Sequence, residues 1–136
     1  MQSITVETNV QAEISKVWEY WTEPVHIMQW YFASSDWKCP MVENSVRVGG
    51  AFLFKMTARD GSASFDFEGT YNEVLPREKI AYTIAGGRKV LVTFLQTEGT
   101  VNIAETFEME NIHTEEQQRV GWQAILDNFK KHVETV

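Results

Sequence analysis

A chain of 136 residues is the size of one domain, and 43% hydrophobic with 23% charged residues is ordinary globular usage, so one compact domain over 1–136 is expected. Twelve Lys and Arg against nineteen Asp and Glu leave a formal net charge of -7, which repels phosphate backbones and anionic lipid and argues against nucleic acid or a membrane surface as partner. One cysteine, Cys39, forms no internal disulfide and fits a reducing compartment, so the cytoplasm is the expected location. The first residues, MQSITVE, have neither a basic nor an apolar leader region, and no stretch approaches the ~20 apolar residues of a membrane span.

Ile4, Val6 and Val10 share one phase of a period-2 pattern, which predicts a half-buried first strand. From Ala12 to Thr22 the period lengthens. Ile14, Val17, Trp18 and Trp21 fall on one helical face, and Pro24 ends that helix. Val25 to Ser45 reads as a short helix followed by an ordered, aromatic-rich loop containing Trp30, Trp37 and Cys39. After Gly49-Gly50, Phe52, Phe54, Met56 and Ala58 alternate with more polar neighbours up to Asp60-Gly61, a hairpin signal. The return strand carries Phe65, Phe67, Gly69 and Tyr71 on one face, with Asp66 and Glu68 on the solvated one. Strands at Ile80–Ile84, around Val90, Val92 and Phe94, and from about Thr100 to Met109 complete an antiparallel meander.

Thr114-Glu115-Glu116-Gln117 matches the capping box, in which the Thr and Gln side chains satisfy each other's backbone N–H groups. Trp122, Ile125, Leu126, Phe129 and Val133 then repeat at three and four, predicting a C-terminal helix of roughly 20 residues and about 30 Å. A curved antiparallel sheet with one long helix to cover its apolar face is an α+β arrangement.

At this point the chain resembles the START-like superfamily, which includes the birch pollen allergen and polyketide cyclases. Within it, the chain is similar to the activator of heat shock protein 90 ATPase homologue family. The likeness rests on Val17-Trp18-Glu19-Tyr20-Trp21 followed by Pro24 and Trp30, then Ala33-Ser34-Ser35-Asp36-Trp37, Val48-Gly49-Gly50 and Asp60-Gly61-Ser62. It continues through Phe65 to Tyr71 and is strongest at Gly121-Trp122-Gln123-Ala124-Ile125-Leu126-Asp127-Asn128-Phe129-Lys130. The Ala-Pro usual before the first helix is here Ala12-Glu13. The resemblance implies a helix-grip fold, its sheet wrapped around the C-terminal helix, with a cavity for small apolar or amphipathic molecules. It also implies a second reading, a co-chaperone-like activator of the heat shock protein 90 ATPase, although the eukaryotic activators carry a further N-terminal domain that these residues do not include.

No reaction or cofactor is implied. His26, His113, His132 and Cys39 lack metal-ligand spacing, and Gly49-Gly50 and Gly86-Gly87 lack the spacing of a phosphate loop, so neither metal nor nucleotide is expected. The aromatic residues Trp30, Trp37, Phe54, Phe65, Phe67, Tyr82, Phe94, Phe107 and Trp122 serve either as a dense core or as the wall of a pocket between the C-terminal helix and the sheet. Glu105 breaks the apolar phase of Val101, Ile103, Phe107 and Met109, so strict alternation points a carboxylate inward. Such a group orients a ligand, pairs with an arginine such as Arg47 or Arg88, or, in an enzyme acting on a small hydrophobic substrate, exchanges protons.

Overall fold

The computed structural model describes residues 2–135. Seven antiparallel strands form one curled sheet in the order β1-β7-β6-β5-β4-β3-β2. They are β1 (Ser3–Val10), β2 (Trp37–Asn44), β3 (Ala51–Ala58), β4 (Ser64–Leu75), β5 (Lys79–Ile84), β6 (Arg88–Thr97) and β7 (Thr100–Glu108). Three α-helices complete the domain: α1 (Ile14–Thr22), α2 (Pro24–Trp30) and α3 (Glu115–Thr135). This is the helix-grip α+β fold. The sequence-predicted strands and helices are present, and the one element not anticipated is β2.

The aromatic-rich loop predicted before residue 45 contains this eight-residue edge strand. Its alternation is hidden because Pro40 interrupts it and the pairing with β3 shifts register between Lys38 and Met41, which changes the phase of the side chains. Cys39 is buried there while Met41 is exposed. Pro24 ends α1 as expected and also opens α2, occupying the first helical turn where a missing N–H costs nothing.

The capping box at the start of α3 forms in full. Gln117 N donates to Thr114 Oγ1 at 3.1 Å and Thr114 N to Gln117 Oε1 at 3.0 Å. Leu126, Phe129 and Val133 on the inner face of α3 are fully buried. The helix lies along the outer edge of β1. Arg119, Gln123 and Lys130 donate to the carbonyls of Thr5, Glu7 and Asn9, the carbonyls that point away from β7. An edge strand that would otherwise present a row of free acceptors is thereby covered.

Beneath α1 and α2 the sheet is lined by rings. Trp30 is 1% exposed; its Nε1 donates to the Tyr20 carbonyl at 3.1 Å and its ring meets Phe129 edge-on at 4.7 Å. Phe52 folds over Gly69, its cross-strand partner, where an added Cβ would stand 2.8 Å from two ring carbons. Only glycine leaves room for a ring laid against the backbone in this way.

Candidate binding site

β7 pairs without interruption with both neighbours, so the alternation of its side chains holds along its length and Glu105 faces inward. Its cross-strand neighbours are Val6 and Val92, its same-face neighbours Ile103 and Phe107, and all four are buried. Glu105 is itself 4% exposed. Burial pushes its carboxyl up to about 8, so at neutral pH it carries a proton and offers both an O–H donor and an acceptor oxygen. Neither arginine considered as a partner serves it: Arg47 is exposed, and Arg88 donates to the carbonyl of Glu108.

Two buried phenols lie within electrostatic reach of that carboxyl. Tyr31, at the end of α2, and Tyr82, on β5, are both held well above the usual tyrosine range, Tyr31 first by burial and then by Glu105, Tyr82 first by burial, then by Tyr31 and then by Glu105. A third, Tyr71, donates to Asn44 Oδ1, and Asn44 Nδ2 donates in turn to the carbonyl of Thr22 at 2.9 Å. This chain ties β4 through β2 to the end of α1. Cys39 is buried, its thiol pushed up to about 11, which makes it an inert thiol packed near Tyr31.

Among the described residues, a partly enclosed cavity of about 20 Å³ in the interior has room for one water. Trp30, Phe54, Phe67 and Tyr82 border it, as do Trp21, Tyr31, Phe52, Tyr71 and Ile80. It lies between the middle of the sheet and the α1–α2 pair; no residue of α3 borders it, unlike the pocket expected between the C-terminal helix and the sheet, and α3, which runs along β1, reaches its walls through Phe129 on Trp21 and Trp30. The walls are already in contact across it. Tyr31 meets Phe54 at 4.8 Å between centroids, and Phe52 meets both Phe54 and Tyr82 at 5.1 Å.

The other residues singled out from sequence lie elsewhere. Phe94 packs between Trp18 and Trp21 at 5.7 and 5.5 Å. Phe107 stacks on Trp122. Trp37 and Phe65 meet edge-on at 5.6 Å at the far end of β3 and β4, where Phe65 is 54% exposed. Of the residues sequence reasoning missed, Trp21, Phe52, Tyr71 and Ile80 sit in inward phases that were readable. Tyr31 follows the last turn of α2 and carries no such signal.

Trp122 joins the interior to the surface. It borders an open groove of about 250 Å³ between the start of α3 and Arg88, and its ring also meets Phe67, a cavity residue, edge-on at 6.2 Å. Among the described residues no group of three or more His, Cys, Asp or Glu side chains is placed to hold a metal ion, and no helix is long and apolar enough to cross a membrane.

A curled sheet closed by helices over an aromatic interior with one inward carboxyl defines a START-like helix-grip domain. Residues 11–134 match the family described as activator of Hsp90 ATPase homolog 1-like protein, and the chain belongs to that family. Its fold is shared with the solution structure of the AHSA1-like protein from Aeromonas hydrophila, 42% identical, with TM-score 0.92 over 98% of this chain and 92% of that one. A protein from Cytophaga hutchinsonii is 49% identical, with TM-score 0.85 over 97% of this chain and 92% of its own. The Aha1 dimer from Colwellia psychrerythraea, at 14% identity and TM-score 0.76 over 99% and 98% of the two chains, shares the fold. No curated protein matches the chain.

Proposed function

We propose that the domain binds a small apolar or amphipathic molecule in its aromatic interior, with Glu105 hydrogen-bonded to the polar end of that molecule. The observation that carries this reading is the placement of Glu105. A carboxyl group buried among Val6, Val92, Ile103 and Phe107 is costly to the fold, where a hydrocarbon side chain would pack without that cost. A ligand with a carbonyl, hydroxyl or amine offers the group a hydrogen-bond partner alongside the Tyr31 and Tyr82 phenols.

The small size of the cavity sets a condition on binding. At about 20 Å³ the interior admits nothing larger than water until rings move, so occupancy requires displacement of a wall residue. Phe67 is the wall residue placed to move, because Trp122, which backs it from the side of the surface groove, can swing toward that groove.

Titration with N-phenyl-1-naphthylamine, followed by its fluorescence and by tryptophan quenching, tests the reading. Saturable one-to-one binding is expected, with NMR shift changes centred on Tyr31, Phe67 and Glu105. Shift changes confined to surface residues, or a fluorescence signal that never saturates, would overturn it.

A further inference from the structure

A second polar cluster lies outside the aromatic interior, where all three helices meet. His26 Nδ1 on α2 and His132 Nε2 on α3 are 3.0 Å apart, a hydrogen bond joining two elements 106 residues apart in sequence. The ring of Tyr20, from α1, stacks on His26 at 3.7 Å and 15°, and lies 5.3 Å from His132. The charged and titratable groups facing the pair, among the described residues, all come from α1: Glu19, whose carboxylate is 3.7 Å from His26 Nε2; Lys16, whose ammonium sits 5.3 Å over the Tyr20 ring; and Tyr20 itself.

An N–H···N bond between imidazoles needs one facing nitrogen with a hydrogen and the other with a lone pair. That condition is met when both rings are neutral and when one ring is charged. It fails when both are charged, because two N–H groups and two positive charges then face each other. His132 is held below the usual histidine range by its burial, then by His26, then by Lys16, in keeping with a ring that resists the second charge.

The position of the pair matters for the interior. His26 and Trp30 are one turn apart on α2, hence on one face, and Tyr31 follows directly. Trp30 and Tyr31 both border the cavity. We propose that the His26–His132 hydrogen bond is an acid-sensitive latch that holds α2, and with it Trp30 and Tyr31, against α3. Charging of both rings releases the latch, loosens α2 and widens the aromatic interior. Glu19 faces the His26 nitrogen that is not bonded to His132, so it does not bridge the pair, and the contact opens when both rings are charged.

The latch goes beyond the ligand-binding reading, and its test needs no ligand. Histidine ring signals and amide hydrogen exchange are followed together by NMR between about pH 7.5 and about pH 5. The amides of His26, Ile27 and Tyr31, which donate to Glu23, Glu23 and Ile27, are the reporters. Exchange rates corrected for intrinsic pH dependence should rise about tenfold as the second ring becomes charged, while amides in β6 and β7 stay protected. In His132→Gln the side-chain amide keeps a bond to His26 without titrating, and the rise should vanish; His26→Gln provides the reciprocal control. The proposal is overturned if α2 stays protected with both rings charged, or if either variant shows the same acid response as the native chain.

Discussion

The indole of Trp122 lies flat on the ring of Phe107, the centroids 4.0 Å apart and the planes 8° from parallel. Phe107 is fully buried on β7, two residues from Glu105, whereas Trp122 is half-buried on α3 and faces the groove. One ring is thus fixed by the core and the other is stacked on it from outside.

Removing the outer ring should expose the inner one. Trp122→Ala is expected to lower stability by roughly 2 to 4 kcal/mol, short of the largest aromatic truncations because Trp122 is not fully enclosed. Denaturant unfolding measures the loss, and binding of N-phenyl-1-naphthylamine should accelerate in the same variant. An unchanged unfolding midpoint would show that the stack contributes nothing to the fold.

Glu105 makes stability depend on pH with a definite sign. The unfolded chain releases this proton near 4.5 and the folded chain at about 8, so between those values the folded state holds more protons and rising pH favours unfolding. The contribution is fully present below 4.5 and is lost as pH rises through about 8, on the order of 5 kcal/mol across the window. Urea unfolding of the native chain and of Glu105→Gln, compared from acid to alkaline pH, isolates it. The native chain should weaken relative to the variant with each step upward; parallel profiles would place the carboxyl in a solvated environment.

At Gly69 the backbone approach leaves no space. A methyl group there would press on the Thr83 carbonyl and stand 2.8 Å from the Phe52 ring, so Gly69→Ala should displace Phe52, cost roughly 1 to 3 kcal/mol and shift the NMR signals of Tyr71 and Tyr82, both of which touch that ring. Signals that stay in place would mean the strands part instead.

Gly121 is the opposite case. Its added Cβ would meet nothing within 4 Å, and it stands inside α3, where alanine is the better helix former by about 1 kcal/mol. Gly121→Ala should therefore raise the melting temperature by about 3 °C. A fall would indicate that the groove beside Trp122 depends on the missing side chain.

The parts of this molecule that follow one rule at a time were legible in the sequence. The reciprocal Thr114–Gln117 cap marks where α3 begins, and the regular alternation from Val101 to Met109 is enough to turn Glu105 inward. β2 was hidden because a bulge and Pro40 scramble its period. The site itself was half legible. Period identifies which rings face inward, yet Phe65 and Phe67 share a phase and only Phe67, which meets Tyr31 and Trp122, borders the cavity. Those partners come from the end of α2 and from α3, distant in sequence, and no local pattern encodes them. The His26–His132 contact was equally invisible, joining residues separated by almost the whole chain.

The placement of α3 along β1 also bears on how the protein is made. β1 is synthesised first, yet its pairing strand β7 and the side chains that cover its free carbonyls all come from beyond Thr100. At ~5–20 residues per second on the ribosome, the strand waits for several seconds with both edges open, while the hairpins from β2 to β6 can already close behind it. During that interval β1 has neither its pairing strand nor the side chains that cover its outer edge, and both are in place only when α3 has been made.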